Sequence, residues 1–147
     1  MNAAFVVPFL SAFMDAITDS GVSRNANLLA LVGADNIVPT RPEGDESDFV
    51  VIDYPFGGRD PAYVHGPDGD AVAHWMRLQA STWASDKLVS LQILDALIQA
   101  IDGRDIVVSD WGTVRLFMRG APWNLVDETS NVRRYGAGAR YEVLLLS

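Results

Sequence analysis

Residues 74–103, HWMRLQASTWASDKLVSLQILDALIQAIDG, change their hydrophobic period once, and this change limits the folds open to the chain. Over residues 71–82 the side chains alternate. Val72, His74, Met76, Leu78 and Ala80 fall on one face of a strand, and Trp75, Arg77, Gln79 and Ser81 on the other. From Lys87 the period becomes helical. Leu91, Leu94, Leu97, Ile98 and Ile101 form a buried side, and Gln92, Asp95, Gln99 and Asp102 a solvent stripe. Ser85 is the expected N-cap with Asp86 in the first turn, and Gly103 is the stop. A strand that feeds such a helix through a short turn has to lay it on a sheet.

The remaining elements complete that layer. A helix is expected over 8–20, with Pro8 at its start and Phe9, Leu10, Phe13, Met14 and Ile17 as its apolar stripe. A shorter helix is expected over 25–32, capped by Asn25 and ended by Gly33. Strands are expected at 49–54 (FVVIDY), 105–109 (DIVVS), 113–119 (TVRLFMR) and 140–147 (RYEVLLLS). The segments PTRPEGDESD (39–48) and PFGGRDPAYVHGPDGD (55–70) read as long exposed loops. Strands outnumber helices and the links are short. The expected fold is α+β: one domain over 1–147, a single mostly antiparallel sheet with helices on one face, and long acidic loops.

Charge and composition narrow the function. Residues 1–70 hold eleven acids against three bases, and residues 71–147 hold eight of each, so the first half carries the whole net charge of −8. A protein that reads duplex DNA needs the opposite sign, so no sequence-specific nucleic-acid binding is expected. The apolar N-terminal run has no preceding Lys or Arg and is interrupted by Pro8 and Asp15. It reads as a core helix rather than a leader or a membrane span. With no cysteine, thiolate metal sites and thiol nucleophiles are excluded.

No catalytic pattern emerges. His74 shares an apolar strand face, where a hydrogen-bonded core imidazole is the simpler reading, and His65 lies in a loop. There is no G-x-S-x-G elbow. Asp60, His65, Asp68 and Asp70 are close in sequence, but their spacing is not that of an EF-hand, so no metal is expected. The glycines of FGG (56–58) and GAGA (136–139) lack a strand–GxGxxG–helix setting and read as turns. Neither a cofactor nor enzymatic activity is expected.

One sheet face has an unusual composition instead. Trp75, Arg77 and Gln79 share a face on one strand, and Arg115, Phe117 and Arg119 share a face on another. Aromatic residues mixed with arginine are typical of interfaces rather than of plain solvated surface. These six residues are the expected subunit or partner interface.

The order of features resembles the small tail completion, or tail terminator, proteins of long-tailed bacteriophages. The likeness rests on LLALVG (28–33), DFVVIDYPFGG (48–58), AHWMRLQASTW (73–83), LVSLQILDALIQAIDG (88–103) and DETSNVRRYGAGARYEVLLLS (127–147). It covers most of the chain, by architecture. It implies a structural virion protein that forms a ring, often hexameric. Such a ring caps the tail tube at its head-proximal end and contacts the tube protein and a head-completion protein. Assembly would take place in the host cytoplasm, without a membrane. Glu43, Asp45, Glu46 and Asp48 would then face the channel and repel the passing genome. Two alternatives stand beside this: a head-completion adaptor on the portal side, and a small ligand-binding or hydrolytic α+β domain.

Overall fold

The computed structural model describes residues 6–40, 48–53, 62–65, 71–127 and 133–146, with backbone alone at 6, 62–65, 71–76, 125 and 145. Its helices are α1 (Val6–Thr18), α2 (Ala26–Val32) and α3 (Lys87–Ile101). Its strands are β1 (Ile37–Val38), β2 (Phe49–Asp53), β3 (Ala62–His65), β4 (Ala71–Ala84), β5 (Asp105–Val108), β6 (Gly112–Asp127) and β7 (Arg134–Leu146). Together they form one seven-stranded sheet in the order β1-β2-β4-β7-β6-β5, with β3 paired to β4 off that path. All pairs are antiparallel except β1 with β2. The expected α+β layering is what forms.

The inner face carries the core. Phe9, Phe13 and Ile17 of α1 are buried with Ile93, Leu97 and Ile101 of α3, against Leu78, Ala80, Val114, Leu116, Tyr141 and Val143 of the sheet. Burying each such large side chain is worth roughly 1.5–3 kcal/mol. The period-3.6 stripe of α3 decides which side faces the sheet. Leu94, Leu97 and Ile101 are buried while Gln92, Asp95 and Gln99 are exposed, as expected; Leu91 and Ile98 are only half-buried, and the small residues Ser90, Ala96 and Ala100 are buried instead.

Several local expectations change. Asp86, not Ser85, caps α3: its Oδ1 accepts from the Leu88 and Val89 amides at 2.8 and 3.2 Å. A carboxylate is both acceptor and anion at the positive end of the helix. Asn25 makes no side-chain cap. It is fully buried instead, donating to the carbonyls of Ala16 and Asp19 at the end of α1 and accepting from Arg104 Nη1 at 3.0 Å. Arg104 also donates to the Ala16 and Ala100 carbonyls, so this pair of side chains satisfies orphan carbonyls at the ends of α1 and α3 together. Burial, with Arg24 nearby, lowers the Arg104 pKa, partly offset by Asp19. The segment read as one long loop over 55–70 contains β3, which places His65 on a strand.

The GAGA segment lies inside β7, not in a turn. Its alanines, Ala137 and Ala139, enter the core, and its glycines face the other way. Residues 109–111, in the stretch SDWG, form the turn between β5 and β6. Asp110 and Gly112 adopt φ of 67° and 107°, and Trp111 packs against the core from that end.

Candidate interaction surface

Cross-strand register assembles the outer face row by row. Arg77 on β4 pairs with Glu142 on β7, which pairs with Phe117 on β6. One row on, Gln79 pairs with Arg140, and Arg140 with Arg119. In the other direction Trp75 pairs with Leu144, Leu144 with Arg115, and Arg115 with Asp105 on β5. The six residues singled out from sequence therefore lie on one face, on two strands separated only by β7. The strand between them supplies Arg140, Glu142 and Leu144, alternating with the buried Tyr141 and Val143.

The side chains differ in how they are held. Arg77, Phe117 and Arg119 are exposed, and Gln79 and Arg115 are half-buried; for Trp75 the strand position alone is described. Arg115 is committed to Asp105 through two parallel bonds, Nε to Oδ1 at 2.6 Å and Nη2 to Oδ2 at 2.9 Å. The hydrogen bond from Arg115 holds the Asp105 carboxyl below the usual carboxylate range and raises Arg115 in turn. Arg119 Nε lies 2.7 Å from Glu142 Oε2. Arg77, Arg119, Arg140 and Glu142, with Gly120 and Tyr141, line a cleft of ≈ 500 Å³.

The far end of this face was not foreseen as apolar. Phe49, Val51 and Trp83 form a second, smaller cluster on the side away from the helices. The guanidinium of Arg134, itself buried, sits 5.1 Å from the Phe49 ring centroid. Trp83 Nε1 donates to Ser81 Oγ at 3.1 Å. This explains FVVID: Val50 and Ile52 fill the main core, Phe49 and Val51 fill the second cluster, and the run is apolar on both faces. Gly136 and Gly138 let indoles rest on β7. A Cβ at Gly136 would meet Trp83 at 2.8 Å, and one at Gly138 would meet the Trp123 indole closer still. The register confirms both cross-strand pairs, Trp83 with Gly136 and Trp123 with Gly138. Sequence reading missed them because Trp123 re-enters the ladder only after a bulge: four steps along β6, from Arg119 to Trp123, match two along β7. The available signal was two glycines spaced by two, with the buried Ala137 between them.

Of the acidic set, Asp48 is half-buried just before β2, and Glu43, Asp45 and Glu46 lie outside the described residues. Of the residues weighed for a metal, Asp60, Asp68 and Asp70 lie outside them too, and His65 is described by its strand position alone. Among the described residues there is no group of three His, Cys, Asp or Glu placed to hold a metal ion, and no helix is long and apolar enough to cross a membrane.

The sequence matches no protein-family model and no curated protein. Among solved structures the fold matches a chain of the virion of the native gene transfer agent (GTA) particle. The TM-score is 0.63 and the identity 22%, over 97% of this chain and 99% of that one. At that identity the likeness shows a shared fold from end to end.

Proposed function

We propose that this chain is a structural virion subunit: a ring-forming tail terminator that caps a phage-type tail tube and joins it to the head. The observation that carries this is the shared fold with a chain of a gene transfer agent virion, over 97% of the length. The surface supports it. An extended sheet face bearing Arg77, Phe117, Arg119, Arg140 and Leu144 offers broad, mixed aromatic and arginine chemistry for assembly, with Trp75 on the same strand face. In this reading the protein is not an enzyme and needs no cofactor. Its neighbours are further copies of itself, the tube protein and a head-completion protein, and its place is the head-proximal end of the tail.

The test is removal of the coding sequence from a producing strain, followed by electron microscopy of the particles. Tubes of uncontrolled length, separated from filled heads, are expected. Joined tails of normal length would sink the reading. Tails of normal length that detach only from the portal side would assign the chain to head completion instead.

A further inference from the structure

β5 ends the order β1-β2-β4-β7-β6-β5, so one of its sides faces no strand. Leu116 N–H donates to the Arg104 carbonyl at 3.0 Å. Bonded and non-bonded pairs alternate along an antiparallel ladder, so Ile106–Val114 and Val108–Gly112 are the bonded pairs of this hairpin. Asp105 and Val107 therefore turn their N–H and C=O groups to the open side. Proteins commonly protect such edges by extreme shortness, proline or a bulge. β1 has two residues and is followed by Pro39. The part of β6 that runs past β5 is interrupted by the bulge between Arg119 and Trp123, which contains Pro122. There Asp102 Oδ1 also accepts from the Met118 amide at 2.8 Å. Within β5 there is no proline, lysine or register shift, and its Val107 is 73% exposed.

A groove of ≈ 570 Å³ lies between this edge and α1. Ser11, Asp15 and Asp19 line it from α1, over the small Ala12 and Ala16 and the buried Ile106. Its charged groups are differently engaged. Arg104 donates to Asn25 Oδ1 and to the Ala16 and Ala100 carbonyls. Asp105 is held by Arg115. Asp19 accepts from the Gly21 amide at 2.8 Å and raises the Arg104 pKa. Asp15 is exposed on the wall, and among the described residues its carboxylate has no ion pair or hydrogen bond.

We propose that β5 is a docking edge for an extended arm of another virion protein, which adds to the sheet as a further strand. The main chain of the arm pairs with Asp105 and Val107, and its side chains alternate between two environments. Those on the inner side enter the groove, where a lysine or arginine meets Asp15. Those on the outer side lie beside Val107 and are apolar. The source of the arm rests on the virion reading above; the edge and the groove do not.

The probe is the end-capped peptide Val-Lys-Val-Lys-Val, titrated into the full chain while amide hydrogen exchange is followed by NMR. Exchange at Asp105 and Val107 should slow about tenfold at saturation, because both amides gain a partner. Ile106 and Val108, already bonded to β6, should change little. The peptide Val-Glu-Val-Glu-Val should bind about tenfold more weakly, since its acids meet Asp15. Asp15→Lys should reverse that preference. Val107→Pro removes an outward amide and no ladder bond, so it should abolish binding of both peptides while the far-UV circular dichroism stays the same. Asp15→Lys lies on an exposed helix position, so its reversal decides the matter even where the proline disturbs β5. Unprotected Asp105 and Val107, equal binding of the two peptides, or binding that survives Val107→Pro would overturn the proposal. So would protection that grows with protein concentration without peptide, which assigns the edge to a second copy. Binding seen only after removal of residues 2–5 would assign the groove to the chain's own start and overturn it too. Peptide binding is read on purified protein and tail morphology on particles, so either reading can fail without the other.

Discussion

The inner and outer faces of this sheet are built from the same strands, yet they solve burial differently. The inner face takes helices: α1 and α3 bring Phe9, Phe13, Ile93 and Leu97 onto Leu78, Leu116, Tyr141 and Val143, and the polar groups at the helix ends are gathered by Asn25 and Arg104. Among the described residues, no helix covers the outer face. At one end it covers itself, with Trp83 and Trp123 laid flat on the glycines of β7 and with Phe49 and Val51 beside Trp83. In the middle it presents Arg77, Arg119 and Arg140 around Glu142. One face is specified by volume, the other by flat indoles and charge. The first serves folding, and the second is the face proposed above for assembly.

If that contrast holds, the inner face is where truncation costs most. Leu78→Ala, at a fully buried position, should lower stability by about 2–5 kcal/mol, read as the urea midpoint, through lost burial and a residual cavity. A cost near zero would mean that α3 does not hold the sheet as described.

A smaller effect, with a distinctive partner, is expected on the outer face. Gly138→Ala places a Cβ where Trp123 lies and should cost about 1–3 kcal/mol by overpacking. Adding Trp123→Ala removes the clash, so the double variant should lose less than the two single losses combined. Strict additivity would show that the indole does not rest on Gly138.

The smallest change is expected at the inner-face hydroxyl of Tyr141, which is buried with no hydrogen-bond partner among the described residues. Tyr141→Phe should leave neutral-pH stability unchanged or raise it by up to about 1 kcal/mol, since a buried polar group without a partner is removed. Burial, and then the charge of Asp102, raise the Tyr141 pKa far above its ordinary value. The sign of the pH effect follows. Above about pH 10 the unfolded tyrosine loses its proton while the folded one keeps it, so wild-type stability falls as pH rises. The phenylalanine variant lacks that contribution, and the gap between the two proteins should widen in its favour. Denaturation curves at neutral pH and above pH 10 check both parts.

The strand-to-helix switch at residues 82–87 was legible in the sequence, and with it the layering, because hydrophobic periodicity is set one residue at a time. So was the strand face shared by Arg77 and Gln79, and the one shared by Arg115, Phe117 and Arg119, since alternation follows from the pleat alone. That these two sets meet across Arg140 and Glu142 was not legible. Register between strands distant in the chain depends on which turns and bulges the folded sheet accepts. The GAGA segment shows the same limit. Glycine alone signals conformational freedom, and only a neighbouring strand decides whether that freedom serves a turn or a surface for tryptophan. The sequence by itself determined the three helices, the central part of most strands and the uneven distribution of charge, but not β3 or the GAGA stretch of β7. The tertiary structure decided which residues became neighbours, because pairing is a property of two strands and neither carries it alone.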